Sequence, residues 1–441
     1  MALLLNENLV KLGHRIKHVN PIRQSGVIDS AVGLIIEASG PPVTIGEHVA
    51  IENIDGSGRT ITAEAVGFNR GKVLLMPLGE MEGVAPGAKV RATGHPISIP
   101  VGDELLGRVV GATGEPIDDN GQLITIESRP LNCAPPDPMS RRRITEPLYT
   151  GIRAIDCFMT CGKGQRIGIF SGSGVGKSTL MGMIARSSNA EVNVIGLIGE
   201  RGREVRDFIE KDLGPEGLKR SVIVAVTSDK APLLRVKGAL AATAIAEYFR
   251  DKGKDVVLMI DSLTRIGMAQ REVGLAAGEP PTTKGYTPSV FSIFPKLLER
   301  AGSSRKGSIT GFYTVLVEGD DINDPIADTS RAILDGHIVL TRDLASKNHY
   351  PAIDVSGSIS RLMNDVTEKE HRDFAGRGRR MLAEYTKAED LINIGAYVKG
   401  SSPKIDYALE RIDPLNGFLT QGIEEKSDFQ SSLEKLKSIL S

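Results

Sequence analysis

Residues 166–186 read RIGIFSGSGVGKSTLMGMIAR and join an apolar run, a glycine-rich loop and a second apolar segment. The run 166–170 predicts a short buried strand, and the segment 179–186 predicts a helix. A strand, a glycine-rich loop ending in Lys-Ser and a helix form the context that a phosphate-binding loop requires. Glycines let successive backbone N–H groups point at an anion, and the helix N-terminus adds partial positive charge. The stretch therefore predicts a nucleoside triphosphate site in an α/β domain.

The residues of this loop have distinct expected roles. Lys177 is expected to reach the β- and γ-phosphates, and the Ser178 hydroxyl to bind the Mg²⁺ that accompanies ATP. Ser171 departs from the strict pattern, which has Gly six positions before the lysine. The nucleotide-binding residues expected from the loop are Gly172, Ser173, Gly174, Val175, Gly176, Lys177, Ser178 and Thr179.

Length and composition are those of a soluble protein with several domains. The 441 residues suggest about three domains, and 40% apolar with 25% charged residues is ordinary for a globular chain. The formal net charge of −1 gives no overall attraction to nucleic acid or membrane. The three cysteines have no metal-ligand spacing, and no run of 18 apolar residues is present. We therefore expect a cytoplasmic protein with reduced thiols.

Changes in sequence pattern along the chain predict its domain organisation. Residues 22–99 contain short β-type runs with turn signals every 8–12 residues, which favours a small barrel or sandwich. Residues 150–360 alternate strands and helices, as in a mostly parallel sheet, and a capping-box pattern at 367–370 opens a helical tail. The expected segments are a docking helix 1–20, a β-barrel domain 21–99, a connector 100–149, a nucleotide-binding core 150–361 and a helical domain 362–441.

Within the core, individual strands and helices can be predicted. The strand candidates are short runs rich in apolar residues, and longer helical stretches lie between them. The strands are 192–198, 222–226, 256–260, 309–317 and 336–340, and the helices are 202–213 and 233–252.

The N-terminal segment has a helical apolar stripe. Leu5, Leu9, Leu12, Ile16 and Val19 share one face, basic residues flank them, and a proline follows at position 21. The stripe fits a helix packed on its own domain. It equally fits a helix that docks on a partner or on an anionic membrane surface.

Acidic residues follow two of the predicted strands. Asp261 ends the apolar run 256–261, and the carboxyl ends of parallel strands open on the ligand crevice. Asp261 can therefore hold Mg²⁺, usually through water. Glu200 comes just after the strand 192–198 and is our candidate to orient the attacking water. Arg201 would offer charge to the γ-phosphate, and Glu204 could join the outer Mg²⁺ shell.

Several further stretches resemble one family. GER at 199–201, the Asp261 strand with Arg265, YPAID at 350–354 and SISR at 358–361 resemble the catalytic subunits of rotary ATP synthases. FSIFPKLLERAG at 291–302 and VEGDD at 317–321 are more similar to the type III secretion ATPases. RAID at 153–156 leading to CGKGQR at 161–166 resembles the flagellar export branch. The resemblance extends from about residue 22 to the C-terminus.

The resemblance implies a subunit with an N-terminal β-barrel, a P-loop (RecA-like) core and a helical C-terminal domain. Six subunits would form a homo-hexamer with ATP sites at their interfaces. Arg361 would be the arginine finger that reaches a neighbour's nucleotide, where such a charge accelerates cleavage by on the order of 10³–10⁵. Tyr350 would pack on the adenine ring in its own subunit.

The resemblance also implies a function and partners. The protein would be a Mg²⁺-dependent ATPase that energises type III protein export, here of flagellar components, at the inner membrane face of the secretion apparatus. Its partners would be a regulatory, stator-like protein at the N-terminus, a stalk protein in the ring centre, membrane proteins of the export gate and chaperone–substrate complexes.

Four alternatives to flagellar export are open on the residues alone. A virulence (injectisome) secretion ATPase shares the same core. A rotary ATP synthase subunit shares the chemistry, but Glu200 disfavours its non-catalytic kind and residues 291–302 disfavour its catalytic kind. An RNA-translocating helicase would want basic and aromatic residues in 22–99, where Phe68 is the one aromatic. A non-hydrolysing structural ring is disfavoured by Lys177, Glu200, Asp261 and Arg361 together. We expect no nucleic-acid partner.

Overall fold

The computed structural model describes residues 24–52, 60–317 and 324–441. The chain divides into two compact units, the first ending at Ile97 and the second beginning at Ser98. The predicted N-terminal docking helix, residues 1–20, lies outside the described residues.

The first unit contains a closed barrel of six antiparallel strands in the order β1-β2-β5-β4-β3-β6. Alternate residues of these strands point inward and form an apolar core that includes Ile36, Val49, Ile51 and Leu75. The hairpin between β4 and β5 turns through Arg70 and Gly71, both with positive φ, as a tight two-residue hairpin requires. The predicted small barrel is confirmed. The strands are β1 Ser25–Val32, β2 Ile35–Ser39, β3 Glu47–Glu52, β4 Thr60–Asn69, β5 Lys72–Pro77 and β6 Lys89–Pro96.

The second unit is built on a sheet in the order β19-β18-β12-β17-β15-β13-β14-β8, with β16 added beside β17. The strands from β18 to β8 are parallel, and β19 is antiparallel to β18. Every residue of β13 and β14 is buried, so both faces of the sheet are covered. The strands of this unit are β7 Ser98–Val101, β8 Val109–Val110, β9 Glu127–Pro130, β10 Pro147–Leu148, β11 Cys161–Gly162, β12 Arg166–Ser171, β13 Val192–Ile198, β14 Ser221–Val226, β15 Asp255–Asp261, β16 Gly302–Ser303, β17 Ser308–Leu316, β18 Gly336–Leu340 and β19 Ile353–Ser360.

The helices of this unit cover the sheet and form the C-terminal tail. No helix within the described residues is long and apolar enough to cross a membrane. The α-helices are α1 Arg153–Phe158, α2 Lys177–Ser187, α3 Gly202–Asp207, α4 Gly214–Lys219, α5 Pro232–Asp251, α6 Leu263–Ala276, α7 Pro288–Leu298, α8 Pro325–Ile333, α9 Arg342–Ser346, α10 Met363–Val366, α11 Lys369–Asn393, α12 Pro403–Leu419 and α13 Phe429–Leu440.

The C-terminal region is helical, as predicted, and its helices share one core with the sheet domain. Phe158 of α1, Phe418 of α12 and Leu436 of α13 are fully buried in the same apolar cluster as Ile169 of β12. The nucleotide-binding sheet and the helical tail are therefore joined by continuous packing.

The structure refines one local prediction and contradicts another. The predicted helix 202–213 ends at Asp207 and continues as a π-helical turn, Phe208–Leu213, which buries both Phe208 and Leu213. The capping box at 367–370 does not form. Glu368 is the N-cap of α11 without a side-chain bond, because Thr367 Oγ1 donates to the carbonyl of Met363 instead.

The segment predicted as an irregular connector contains short strands. β7 and β9 pair with each other, and β8 extends the edge of the main sheet beside β14. Two-residue strands such as β8 have too little apolar sequence to predict.

Candidate active site

The phosphate loop connects the end of β12 to the start of α2, as the sequence predicts. Gly174 and Gly176 have φ of 78° and 87°, a region that side chains disfavour, so these two positions need glycine. Gly176 is the N-cap of α2, and Lys177 is its first residue. Val175 is buried in the apolar core, so its side chain anchors the loop, and it is the one predicted loop residue that does not line the cleft.

A cleft of about 580 Å³ opens above this loop. Parallel strands deliver side chains to it from their carboxyl ends, which is where ligands bind in open α/β sheets. The predicted residues that line it are Gly172, Ser173, Gly174, Gly176, Lys177, Ser178, Thr179, Glu200, Arg201 and Glu204. Residues that the predicted site lacked also line it: Ser171, Thr264, Arg265, Met268, Leu316, Val317 and Arg342.

Asp261, the last residue of β15, lies at the floor of the site with its side chain 4% exposed. Its carboxylate pairs with Lys177 Nζ and accepts a 2.7 Å hydrogen bond from Thr314 Oγ1 on the neighbouring strand β17. The structure therefore brings the loop lysine and the predicted Mg²⁺ ligand into direct contact.

Glu200 lies beside this pair, just after β13. Its Oε1 is 3.7 Å from Lys177 Nζ, is buried and has no hydrogen-bond partner within the described part of the chain. Burial and the nearby Asp261 charge raise the pKa of Glu200 to about 7, although Lys177 opposes the shift. Gly199 makes this position possible because a Cβ there would lie 3.0 Å from the Cβ of Arg265. The result is a buried carboxyl group that can take up or release a proton near neutral pH.

Glu204 and Arg201 occupy the outer rim. A hydrogen bond between Glu204 and Glu200 lowers the pKa of Glu204, so within this carboxyl pair the proton resides on Glu200. Arg201 is 80% exposed and lies 3.6 Å from Glu204. Both residues border the cleft, and Arg201 is free to turn toward a bound phosphate.

The oxygen atoms of the site fit Mg²⁺. Ser178, Glu200, Glu204 and Asp261 border a recess of about 20 Å³ next to the cleft, and hydroxyl and carboxylate oxygens are the ligands that Mg²⁺ takes. Among residues 24–52, 60–317 and 324–441, no group of three His, Cys, Asp or Glu side chains is arranged to hold a metal ion. The donor set therefore suits an ion that arrives with substrate phosphates.

Tyr350 lies beside the end of the phosphate loop that leads into α2. A Cβ built on Gly176 would lie 3.5 Å from the Tyr350 ring, and Tyr350 is 38% exposed. The ring is thus available for stacking beside the start of α2.

Arg361 is not brought into this cleft. It follows β19, which pairs with β18 so that Ser360 lies opposite Gly336, the first residue of β18. The phosphate loop begins beside Leu340, the last residue of β18. Arg361 therefore lies near the amino end of β18, whereas Lys177 lies near its carboxyl end. The backbone N–H of Arg361 donates to the carbonyl of Asp335. A role for Arg361 in phosphate chemistry requires the nucleotide of another subunit.

Of the residues that the predicted site lacked, Arg265 and Arg342 carry charge. Arg265 is four positions after Asp261, and Arg342 is two positions after the last residue of β18. The same strand-end rule that found Glu200 and Asp261 could have found both.

A loop lysine, a strand-end aspartate and a buried glutamate in one cleft of a parallel sheet define an enzyme of the P-loop ATPase class. Three family models match: "ATP synthase alpha/beta family, nucleotide-binding domain" at residues 151–360, "ATP synthase alpha/beta family, beta-barrel domain" at 28–94, and "T3SS EscN ATPase C-terminal domain" at 367–438.

Relatives match nearly the whole chain. The flagellum-specific ATP synthase of Bacillus subtilis is 54% identical over 96% of this chain and 97% of its own length. A type 3 secretion system ATPase of Xanthomonas euvesicatoria is 50% identical over 95% and 94%. The solved structure of the assembled ATPase EscN of the enteropathogenic E. coli type III secretion system matches with a TM-score of 0.88 and 45% identity, covering 94% of this chain and 100% of the solved chain. The chain belongs to the type III secretion ATPases of the ATP synthase alpha/beta family, as its residues indicated.

Proposed function

We propose that this ATPase hydrolyses ATP to energise type III export of flagellar proteins, by releasing and unfolding substrates at the export gate. The single observation that carries the chemistry is the buried Glu200 carboxyl with an unpartnered oxygen beside Lys177. Relatives named flagellum-specific ATP synthase, in Bacillus subtilis and in Treponema pallidum at 52% identity, support the flagellar branch.

The proposed roles follow from the positions of the side chains. The loop 172–179 binds the phosphates, and Lys177 exchanges Asp261 for the β/γ-phosphate oxygens. Ionised Glu200 orients the attacking water and accepts its proton. Arg201 turns from the rim to the γ-phosphate, and Tyr350 packs on the adenine. Ser178, together with Asp261 and Glu204 acting through water, would hold Mg²⁺, and the bound ion would supply charge neutralisation at the γ-phosphate.

The proposed assembly is a homo-hexamer in which Arg361 of one subunit completes the site of the next. Support comes from the distance of Arg361 from its own loop and from the solved relative, described as the assembled ATPase EscN. A second solved form is EscN in complex with its central stalk EscO, which supports a stalk protein as a partner here. The remaining proposed partners are a stator-like regulator, the export gate and chaperone–substrate complexes at the cytoplasmic face of the inner membrane.

Replacement of Glu200 tests the chemistry. Glu200→Gln keeps the shape and hydrogen-bonding capacity of the side chain but removes the base. We expect ATP binding close to wild type and turnover lower by roughly 10²–10⁴. Glu210→Gln, an exposed glutamate that pairs with Arg206 on the same stretch, is the matched control and should turn over normally. Wild-type turnover of Glu200→Gln would remove Glu200 from this role.

An export assay tests the biological process and separates the two branches. In a host cell whose own flagellar ATPase gene is deleted, the wild-type chain should restore secretion of flagellar subunits and Glu200→Gln should not. The Xanthomonas relative and EscN favour injectisome export as the second candidate. Restoration of effector secretion in an injectisome deletion strain, without flagellar secretion, would select that candidate.

A further inference from the structure

Arg342 lies directly beside the phosphate loop. It is the first residue of α9, just after β18, and β18 pairs with β12 so that Leu340 is level with Ser171. Because the loop begins at the end of β12, residues that follow β18 emerge next to it. Arg342 accordingly borders the same cleft as Lys177.

The guanidinium of Arg342 covers Gly172. A Cβ built on Gly172 would lie 3.1 Å from Arg342 Nε and 3.2 Å from Nη2, so a side chain at this position would have to displace the guanidinium. Within residues 24–52, 60–317 and 324–441 the guanidinium has no hydrogen bond or ion pair, whereas Lys177 and Arg201 both face carboxylates. Arg342 thus brings an uncompensated positive charge to the loop.

The two ends of the loop face different parts of a nucleotide. Tyr350 lies against Gly176 at one end, and Arg342 lies against Gly172 at the other. With the adenine on Tyr350, the phosphate chain extends along the loop away from Gly176, and its terminal phosphate reaches the Gly172 end. A guanidinium binds phosphate oxygens through two parallel N–H donors.

We propose that Arg342 is a specificity-determining residue that binds the γ-phosphate within its own subunit and so favours ATP over ADP. The inference rests on the proposed function, because it assumes that ATP occupies this cleft. It differs from the role of Arg361, which acts on a neighbour.

Nucleotide affinity of the full-length chain tests this proposal. We would measure binding of ADP and of the non-hydrolysable analogue with a β,γ-imido bridge to wild type, Arg342→Gln, Arg342→Lys and Arg203→Gln. Arg203 is an exposed arginine on α3 outside the cleft and serves as the control. Loss of a charged hydrogen bond should weaken the analogue by roughly 10- to 100-fold in Arg342→Gln while ADP binding stays unchanged. The affinity of Arg342→Lys for the analogue should lie between those of wild type and Arg342→Gln.

Each other outcome overturns the inference. Equal losses for ADP and the analogue would make Arg342 a support of the loop, and unchanged affinity for both would leave it without a role in binding. If Arg342→Gln has a lower melting temperature than wild type, the affinities of Arg342→Lys for ADP and for the analogue are compared instead. Failure of wild type itself to bind the analogue would overturn the proposed function instead, so the two failures are distinguishable.

Discussion

Lys177 and Asp261 form a buried ion pair between the first residue of α2 and the last residue of β15. The pair keeps the loop lysine at the floor of the cleft and satisfies a carboxylate that is nearly inaccessible to water. Glu200 adds a second carboxyl group to the same lysine at 3.7 Å. Burial and the neighbouring Asp261 charge outweigh this contact with Lys177 and favour the protonated form of Glu200.

Replacement of Lys177 should affect both nucleotide binding and the stability of the nucleotide-free protein. Lys177→Ala deletes the charge that faces the phosphates, so ATP affinity should fall sharply. It also leaves Asp261 buried and unpaired, which should cost about 1–3 kcal/mol in the free energy of unfolding. Titration with a fluorescent nucleotide and urea unfolding measure the two effects.

A double variant separates the effect of Lys177→Ala on nucleotide binding from its effect on stability. Asp261→Asn added to Lys177→Ala should restore most of the lost stability but none of the ATP affinity. An undiminished unfolding free energy for Lys177→Ala alone would contradict the ion pair.

The raised pKa of Glu200 predicts a pH-dependent stability for the nucleotide-free protein. Folding raises this pKa from its ordinary 4.5 to about 7. The folded chain therefore binds more protons than the unfolded chain, and the stability linked to Glu200 is full below pH 4.5 and lost as pH rises through about 7. Glu200→Gln stays neutral and escapes this loss, so it should become more stable than wild type as pH increases from 5 to 8. Urea unfolding between pH 5 and 8 measures the unfolding free energies of both proteins. A difference between them that does not change with pH would contradict the buried neutral carboxyl group.

Strand-end logic explains how much of the site the sequence could predict. The predicted strands 192–198 and 336–340 match β13 and β18 residue for residue because both are rich in apolar residues and are flanked by polar residues or glycine. Glu200 and Asp261 were placed at one edge because they follow such strands. The π-helical turn at Phe208 was not predictable, because it is set by which side chains the core accepts.

Electrostatic properties were also beyond the sequence. The pKa of Glu200 depends on its burial and on the distances to Asp261 and Lys177, and no residue pattern gives these. The strand-end rule could have placed Arg342 near the cleft, but its contact with Gly172 became visible only from the pairing of β18 with β12.

The N-terminal segment should bind a partner rather than the nucleotide. Its stripe of Leu5, Leu9, Leu12, Ile16 and Val19 could bury large apolar side chains at roughly 1.5–3 kcal/mol each, enough for docking after ordering costs. Deletion of residues 2–18 should leave folding and ATP binding intact and abolish co-purification with the stator-like regulator. Full recovery of the partner by the truncated chain would place docking elsewhere, and failure to fold would favour a helix packed on its own domain.

The position of Arg361 at the sheet edge opposite Lys177 predicts complementation between inactive subunits. Glu200→Gln subunits keep a working finger, and Arg361→Ala subunits keep a working cleft. In mixed rings some interfaces pair an intact Glu200 with an intact Arg361 from the neighbour, so the mixture should recover part of the wild-type turnover, and turnover per subunit of wild type should rise with protein concentration.

The control mixture joins two defects of the same cleft. In a mixture of Glu200→Gln and Lys177→Ala subunits, each subunit has a damaged cleft. Every interface therefore contains a damaged cleft, and no recovery is expected. Mixed assembly is verified by co-purification through a tag on one subunit type. If the first mixture also stays inactive in rings shown to be mixed, Arg361 does not act across the interface. Because Arg361 lies at the opposite end of β18 from its own loop, it would then have no role in phosphate chemistry.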